Sequence, residues 1–303
     1  TPLKLSKRLS ELKIKILGTS PKSIYLSEDR KEFKRILNSL NLKQPKNDTC
    51  FNASVAIKSA KNIGFPLILR PSFVLGGRGM KLIYNEIELK KYINTAIENS
   101  GKNPLLIDKF IENAIEIDVD AICDGDEVFI CGIMEHIEKL GVHSGDSACV
   151  LPPQKIDQII KTEIENQTKK LAFKLNVIGF INVQFAVQYN KIFIIEVNPR
   201  GSRTIPFVSK SIGLPLVKIA LKVMLGQKLK DFKVTNKKNN RHITVKEAIF
   251  PFSRFPETSA ILGPEMMSKG EVMGIDINFS KAFAKSQISS KIHLPKKGSV
   301  FIS

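Results

Sequence analysis

Residues 181–203 read INVQFAVQYNKIFIIEVNPRGSR, and they contain two alternating runs separated by a short polar turn. Such alternation predicts two neighbouring strands of one hairpin. We expect a three-residue loop centred on Asn190. Gln184 and Glu196 then lie opposite each other, because both are six residues from Asn190. Asn198 lies two residues beyond Glu196 and shares its strand face, so the three polar side chains converge.

These three side chains form an oxygen-rich set of one carboxylate and two amides. Such oxygens suit Mg²⁺, whose coordination phosphate oxygens and water complete. The alternative is an ordinary solvent-facing strand surface, which is the usual explanation for a single polar residue such as Gln184. Arg200 and Arg203 follow the second strand at once. Two guanidinium groups beside a carboxylate favour an anion held next to a metal.

A glycine-rich segment at 70–79 reads RPSFVLGGRG and follows a strand-like run. Its glycines, among them Gly76 and Gly77, let backbone N–H groups approach phosphate oxygens. The segment lacks the Gly-Lys-Ser/Thr ending of a Walker A loop, and it leads into a strand rather than a helix. An ordinary glycine-rich hairpin loop is the alternative, but Arg70 at the strand end favours phosphate binding.

Two further polar segments give weaker indications. Residues 141–147, GVHSGDS, contain Ser, His and Asp, which lie too close in sequence for a catalytic triad and lack a nucleophile elbow. His136 and His143 are alternatives as metal ligands, but such a pair is more often structural, so the segment is predicted to be a polar loop near a ligand. Residues 108–116 are predicted to be either a plain linker or a hinge at which Glu116 accepts from ribose hydroxyls.

The composition excludes several function classes. The chain has 303 residues, 43% hydrophobic and 25% charged, and no apolar run approaches the ~20 residues of a membrane span. The formal charge of +18 invites a nucleic-acid interpretation, but the Lys residues are dispersed, Trp is absent and Tyr numbers four. The four Cys form no Cys-x-x-Cys pair, which argues against zinc and disulfide frameworks. We therefore expect a cytoplasmic protein with reduced thiols that binds neither nucleic acid nor membrane.

The order of the predicted elements indicates an α+β fold with antiparallel hairpins. The strands follow one another without the regular strand–helix–strand alternation of a Rossmann fold. One of the predicted strands covers Ile14–Leu17. The chain starts at Thr1 without Met and without a signal-peptide pattern, so we expect a piece of a longer protein.

Taken together and in this order, these motifs resemble the ATP-grasp superfamily and, within it, the large subunit of carbamoyl phosphate synthetase. The matching stretches extend over nearly the whole chain and are 16–30, 66–80, 116–147, 182–215 and 262–273. Residues 205–210 and 262–273 resemble the second of the family's two homologous halves, which makes carbamoyl phosphate from carbamate. The resemblance implies two α+β lobes that clamp a nucleotide between antiparallel sheets.

The resemblance also implies a domain organisation. Residues 1–33 are expected to be a remnant of the subdomain that precedes the ATP-grasp domain. Residues 34–225 are expected to form the ATP-grasp domain, with a small lid lobe at about 45–110. Residues 226–303 are expected to be a C-terminal extension of the synthetic domain that reaches the start of a regulatory domain.

The family motifs further imply a nucleotide site that holds ATP. Arg70 is expected at the phosphates, Lys109 and Ile111 at the adenine hinge, and Glu116 at the ribose. The full set implied to contact the nucleotide is Arg70, Gly76, Gly77, Lys109, Ile111, Glu116, Gly141, Val142, His143, Ser144, Gln184 and Glu196.

The same motifs imply that Gln184, Glu196 and Asn198 ligate Mg²⁺ (or Mn²⁺). Arg200 and Arg203 are the implied catalytic residues, which face the carbamate and the transferred phosphoryl group. The implied activity is ATP-dependent phosphorylation of carbamate by an ATP-dependent carbon–nitrogen ligase, within a glutamine-hydrolysing enzyme of arginine and pyrimidine biosynthesis.

The implied partners are a carbamate or bicarbonate-derived substrate, the remaining parts of the large subunit and a glutaminase small subunit. Two alternatives stay open. One is a truncated nucleotide-binding fragment without turnover, although the intact polar residues of the hairpin argue against a degenerate site. The other is a different ATP-grasp ligase such as a biotin carboxylase, against which residues 262–273 and the absence of a biotin-carrier pattern argue.

Overall fold

The computed structural model confirms the predicted α+β class, because helices pack on sheets in which all neighbouring strands are antiparallel. Within the part of the chain that it describes, no helix combines the length and apolarity needed to cross a membrane. All four cysteines are buried free thiols. The predicted glycine-rich segment is described only at its two ends. The described residues are 2–71, 76–101, 103–232, 234, 242–252, 260–292, 294, 295, 297–299 and 301.

The strands form two separate sheets, and each sheet carries part of the candidate site. In chain order the described α-helices are α1 (Pro2–Glu11), α2 (Pro21–Glu28), α3 (Arg30–Ser39), α4 (Ala53–Ile63), α5 (Glu86–Ser100), α6 (Gln158–Lys174), α7 (Ile205–Ile212), α8 (Leu216–Met224) and α9 (Phe279–Ser289). The described strands are β1 (Asn47–Cys50), β2 (Leu67–Pro71), β3 (Lys81–Ile83), β4 (Leu105–Lys109), β5 (Ile115–Cys123), β6 (Val128–His136), β7 (Cys149–Leu151), β8 (Gly179–Gln188), β9 (Lys191–Asn198), β10 (Ile243–Ile249) and β11 (Gly270–Asp276).

The first sheet has four strands in the order β1-β4-β2-β3. Helices α4 and α5 pack on it through buried apolar side chains of both helices and of β2 and β4. Helix α4 begins where the Asn52 side chain accepts a hydrogen bond from a first-turn N–H, and it ends at Gly64, whose φ of 82° is left-handed. The sheet lies within the predicted lid lobe at 45–110, whose bounds, like the other domain bounds, stay predictions.

The second sheet has seven strands in the order β11-β10-β7-β6-β5-β8-β9. Odd-numbered residues of β5 and β8, such as Val119, Val183 and Phe185, are buried under α6. The opposite face is apolar at one end, where α7 and α8 cover it. At its other end this face carries polar side chains, because alternate residues of a strand point to opposite sides. These residues of β5 and β8 are Glu116, Asp118, Asp120, Asn182 and Gln184.

The hairpin of β8 and β9 keeps the predicted pairing but not the predicted loop length. Its loop has two residues, Tyr189 and Asn190, with φ values of 47° and 60°. Such a loop would align Gln184 with Ile195. A bulge next to Gln184 inserts one residue into β9, and this insertion brings Glu196 opposite Gln184. The prediction of a three-residue loop is therefore wrong, whereas the predicted pairing is confirmed.

The strand predicted at Ile14–Leu17 is also wrong. These residues have no regular secondary structure, because none of the strands described lies alongside to supply hydrogen bonds. Conversely, β7 was not predicted from the alternation of residues. It has three residues, all of them buried, which is too short a run for a periodic pattern.

Glu247 on β10 provides a test of how burial affects stability. Its carboxylate accepts from Gln287 Nε2 of α9, and burial, reinforced by the negative Glu138, raises its pKa from 4.5 to about 7. Folding therefore becomes less favourable as the pH rises through this window, because the folded protein holds a proton that the unfolded chain has lost. We expect Glu247→Gln to leave the free energy of unfolding unchanged below about pH 4.5 and to raise it by roughly 2 kcal/mol at about pH 8.

Urea unfolding at several pH values measures this difference. The control is Glu98→Gln on the exposed side of α5, which should change the free energy of unfolding by less than about 0.5 kcal/mol at every pH. An equal effect of the two substitutions at about pH 8 would show that Glu247 carries no burial penalty.

Candidate active site

The three predicted metal ligands lie together on the polar face of the larger sheet. Gln184 and Glu196 are opposite each other, and Asn198 Nδ2 donates to Glu196 Oε1 at 2.9 Å. Gln184 uses its Nε2 to donate to Ser144 Oγ at 3.1 Å. Asn198 Oδ1 accepts from Arg200 Nη2 at 2.9 Å. The structure therefore brings the carboxylate, both amides and one of the predicted catalytic arginines into a single hydrogen-bonded group.

Arg70 connects the two sheets at this point. It lies on β2 of the smaller sheet, and its Nη2 is 3.0 Å from Glu196 Oε2. Its Nη1 lies 3.7 Å from Asp108 Oδ2, which Arg30 Nη2 also approaches at 3.4 Å. Two guanidinium groups and two carboxylates thus alternate between the sheets. The sequence indicated Arg70 as a phosphate ligand, and the structure places its guanidinium beside the predicted metal ligands.

Glu196 is held in its ionised form by these neighbours. Burial opposes ionisation, but Arg70, the hydrogen bond from Asn198 and the charge of Arg30 together lower its pKa below the ordinary value. The carboxylate and the two amide side chains are the hard oxygen donors that Mg²⁺ prefers. A positively charged guanidinium already contacts Glu196, so this point of the face attracts positive charge. The residues present therefore fit a divalent cation.

Gly76 and Gly77 lie at the described end of the glycine-rich segment, against residues 264–266. Gly76 O accepts from the backbone N–H of Met266 at 2.9 Å. A Cβ on Gly77 would lie 1.9 Å from Pro264 O, so the two backbones touch where Gly77 has no side chain. The sequence indicated both glycines as phosphate ligands, but it did not indicate this contact.

The loop at 141–144 joins the site to the same C-terminal segment. Gly141 packs on the Phe110 ring, and the backbone N–H of His143 donates to Gly263 O at 2.8 Å. Burial lowers the pKa of His143, which keeps the imidazole neutral, and its Nδ1 accepts from the Gly145 N–H at 3.0 Å. Ser144 contacts Gln184, as described above. The N–H of Val142 donates to Lys139 O within the loop.

The predicted adenine hinge is only partly brought to the site. Lys109 Nζ donates to the backbone oxygens of Gly64 and Phe65, so its ammonium group binds the smaller lobe. Ile111 is buried in an apolar cluster with Ala114 and Ala186. The cluster is also packed against three half-buried apolar side chains, those of Leu140, Phe193 and Ile195. It offers an apolar surface, whereas the Lys109 side chain offers no free charge.

Glu116 lies on the polar face but in a different neighbourhood from Glu196. It is buried, and its Oε1 is 3.8 Å from His136 Nδ1. Burial raises the pKa of Glu116 to about 7, although the nearby His136 opposes this shift. His136 Nε2 in turn hydrogen-bonds Asp118 Oδ2 at 3.2 Å. The expected contact of Glu116 with ribose stays a prediction.

Several residues near the site were not found from the sequence. Arg203 Nη1 contacts Met266 Sδ, and Lys246 of β10 is buried with its Nζ 3.2 Å from Ser144 O. The isolated Lys within the otherwise strand-like run at 243–249 was a usable signal. Asp120 contacts Ser202 and Thr204 beside the predicted catalytic arginines, and the alternation of acidic and apolar residues in β5 could have indicated it.

Solved structures share this fold at low sequence identity. One is the biotin carboxylase domain dimer of 2-oxoglutarate carboxylase from Hydrogenobacter thermophilus, in complex with MgADP, ADP and bicarbonate. It matches with a TM-score of 0.68 and 21% identity over 82% of this chain and 56% of that chain. At this identity the likeness shows the fold alone, which is the ATP-grasp fold.

Curated relatives match the whole chain much more closely. The carbamoyl phosphate synthase large chain of Archaeoglobus fulgidus is 52% identical over 303 residues, which are 100% of this chain and 28% of that protein. The C-terminal section of the large chain from Aquifex aeolicus is 51% identical over 319 residues, covering 100% of this chain and 59% of that protein. The protein-family model described as "Carbamoyl-phosphate synthase L chain, ATP binding domain" matches residues 29–232. The chain therefore belongs to the family of carbamoyl-phosphate synthase large-chain ATP-binding domains.

Proposed function

We propose that this chain phosphorylates carbamate with ATP and so produces carbamoyl phosphate. In this proposal it is the second ATP-grasp unit of a glutamine-dependent carbamoyl phosphate synthase large chain that serves arginine and pyrimidine biosynthesis in the cytoplasm. The observation that carries the proposal is the group formed by Glu196, Asn198 and Arg200, which Arg70 closes from the opposite lobe. The similarity to a relative named a C-terminal section supports the assignment to the second unit.

The proposed cofactors are ATP and Mg²⁺ (or Mn²⁺). Gln184, Glu196 and Asn198 would hold the metal through their side-chain oxygens. When bound, the metal supplies positive charge to the phosphate oxygens. Arg70 and Arg200 contact two of these side chains, so both arginines lie where phosphate oxygens would meet the metal.

The remaining predicted residues would bind and enclose the nucleotide. Gly76 and Gly77 would present backbone N–H groups to phosphates, and the loop Gly141–Ser144 would line the pocket. The apolar cluster around Ile111 would contact adenine, with the Lys109 backbone at the hinge. Glu116 would accept from ribose hydroxyls.

The proposed chemical step needs no covalent intermediate with the protein. A carbamate oxygen attacks the γ-phosphorus, a new oxygen–phosphorus bond forms, and the bond to ADP breaks. Arg200 and Arg203 would hold the carbamate and stabilise the negative charge on the transferred group. The contact of residues 264–266 with the glycine-rich loop would exclude water, in which carbamate decomposes.

The partners of the proposed reaction lie outside this chain. The chain spans 28% of the Archaeoglobus fulgidus relative. We propose that the remaining parts of a large subunit and a glutaminase small subunit supply carbamate made from bicarbonate. The biotin carboxylase alternative has no support beyond fold likeness, because that similarity is only 21% identical. A nucleotide-binding fragment without turnover is the alternative that the experiment below tests.

The reverse reaction tests the proposal directly. The full large chain that contains this sequence should form ATP from MgADP and carbamoyl phosphate, measured by a coupled luciferase assay. Acetyl phosphate is the matched control, because it carries a similar acyl phosphate without the carbamoyl nitrogen, and we expect it to react at least about 10-fold more slowly. Nucleotide binding without ATP formation would contradict the proposal and favour the inactive fragment. Biotin-dependent ATP hydrolysis in the presence of bicarbonate would favour the carboxylase alternative.

A further inference from the structure

The loop that carries the predicted catalytic arginines is anchored to one buried carboxylate. Asp120, on β5, is fully buried and belongs to the polar face of the larger sheet. Its Oδ1 accepts from Ser202 Oγ at 2.7 Å, and its Oδ2 accepts from Thr204 Oγ1 at 2.5 Å. Ser202 and Thr204 are the two residues on either side of Arg203. The backbone on both sides of this arginine is therefore tied to the same side chain.

Asp120 also binds the neighbouring strand. Asn182 Nδ2 of β8 donates to Asp120 Oδ1 at 3.0 Å, and Asn182 is paired with Asn198 at the end of β9. Asn198 holds Arg200 through its amide oxygen. Asp120 thus connects, directly or through one residue, to both ends of the loop at 199–203.

These contacts matter because one side of the loop has little packing support. A groove of about 320 Å³ lies along residues 199–201, and Phe180 and Met224 contribute to its walls. A loop beside such a space depends on hydrogen bonds for its position, since few side chains press on it from that side.

The use of the Thr204 hydroxyl supports the same conclusion. Thr204 occupies the position before the first turn of α7, where a threonine side chain commonly caps the helix. Here it makes no capping hydrogen bond, and its hydroxyl contacts Asp120 instead. The side chain is therefore used for the loop rather than for the helix.

We propose that Asp120 is a positioning residue that holds Arg203, and with it Arg200, at the phosphoryl-transfer site. This inference rests on the proposed function, in which these arginines stabilise the transferred group. Asp120 itself touches no reacting atom. Because reacting groups lose rate steeply when displaced by about 1 Å, freeing the loop should lower the chemical rate more than nucleotide binding.

The test compares two substitutions of Thr204 in the full large chain. Thr204→Val keeps the side-chain shape and removes the hydroxyl, whereas Thr204→Ser keeps the hydroxyl. We expect Thr204→Val to lower kcat of the reverse reaction about 10- to 100-fold, with the KM for MgADP changed less than about 2-fold. Thr204→Ser should retain most of the rate. A purely structural role would instead lower the thermal midpoint of unfolding without this split between kcat and KM.

Hydrogen exchange gives a second measurement that needs no activity. Amides at 199–205 should exchange at least about 10-fold faster in Thr204→Val than in the wild type or in Thr204→Ser. The control is Asp124→Asn, another buried Asp, which accepts from the N–H groups of Asp126, Glu127 and Leu229 in a different loop. It should change exchange near 124–127 and leave both the loop at 199–205 and kcat unaffected.

The outcomes separate this proposal from the proposed function. A wild-type chain without the reverse reaction would reject the proposed function, while the exchange measurement would still show whether Asp120 anchors the loop. An unchanged exchange rate in Thr204→Val would overturn the anchor. Faster exchange together with a wild-type kcat in an active enzyme would overturn the positioning role. Asp120→Asn combined with Thr204→Val should lose no more rate than Asp120→Asn alone, because both act on one contact, and additive losses would contradict the shared mechanism.

Discussion

Replacement of Glu196 by Gln should lower ATP formation from MgADP and carbamoyl phosphate by about 1,000-fold or more, because the metal site loses its only carboxylate. Gln has nearly the same shape as Glu and can still accept from Asn198 Nδ2 and Arg70, so the fold should persist. The lost negative charge cannot be replaced, since the other two predicted ligands, Gln184 and Asn198, are neutral amides. The rate measurement should therefore be accompanied by a Mg²⁺ titration, in which we expect a strongly weakened metal requirement.

Glu247→Gln is the matched control for this substitution. It makes the same chemical change on a buried carboxylate of the same sheet, but outside the group around Glu196. The control should keep the wild-type rate, and both variants should unfold within a few degrees of the wild type, as measured by thermal denaturation. A Glu196→Gln enzyme with the wild-type rate and the wild-type Mg²⁺ dependence would remove the metal assignment.

Replacement of Gly77 by Ala should lower kcat/KM for MgADP about 10- to 100-fold through a steric effect on the glycine-rich loop. The added Cβ would lie 1.9 Å from Pro264 O and 2.9 Å from Pro264 C, both of which are backbone atoms. Neither atom can rotate away, so the loop and residues 264–266 must separate. The φ of +67° at Gly77 adds strain for any residue with a side chain.

Gly76→Ala separates the clash from the backbone strain. Gly76 has a similar φ of +63°, but its Cβ would meet only Met266 Cβ at an ordinary 3.7 Å. We expect it to lower kcat/KM no more than a few-fold, since left-handed backbone alone costs an Ala about 1 kcal/mol. Steady-state kinetics of both variants gives the comparison. Equal losses would show that the contact with Pro264 does not hold the glycine-rich loop in place.

The local pattern of the sequence predicted the polar hairpin well. Alternation in β8 and β9 placed Gln184 and Glu196 on one face, because side chains of a strand alternate whatever the rest of the fold does. The loop length was predicted wrongly, and the bulge next to Gln184 corrected its effect on the pairing. A bulge has little sequence signature of its own, so the correct pairing followed from two deviations that cancel.

Other features of the site depended on contacts that periodicity does not report. Asp120 has the alternating pattern of a strand residue, but only the fold shows that it meets Ser202 and Thr204, which are 82 and 84 residues away. The buried Lys246 and its contact with Ser144 are of the same kind, with a separation of 102 residues. Such residues were visible in the sequence as types, but their partners were not.

The sequence by itself determined the α+β class, the family and the polar face of the hairpin. These properties follow from composition, from motifs and from the two-residue repeat of a strand, all of which are local in the chain. Only the tertiary structure decided which groups meet across the lobes. It placed Arg70 on Glu196, 126 residues away, and Gly77 against Pro264. The physical reason is that a contact between distant segments depends on how the sheets pack, which no short stretch of residues encodes.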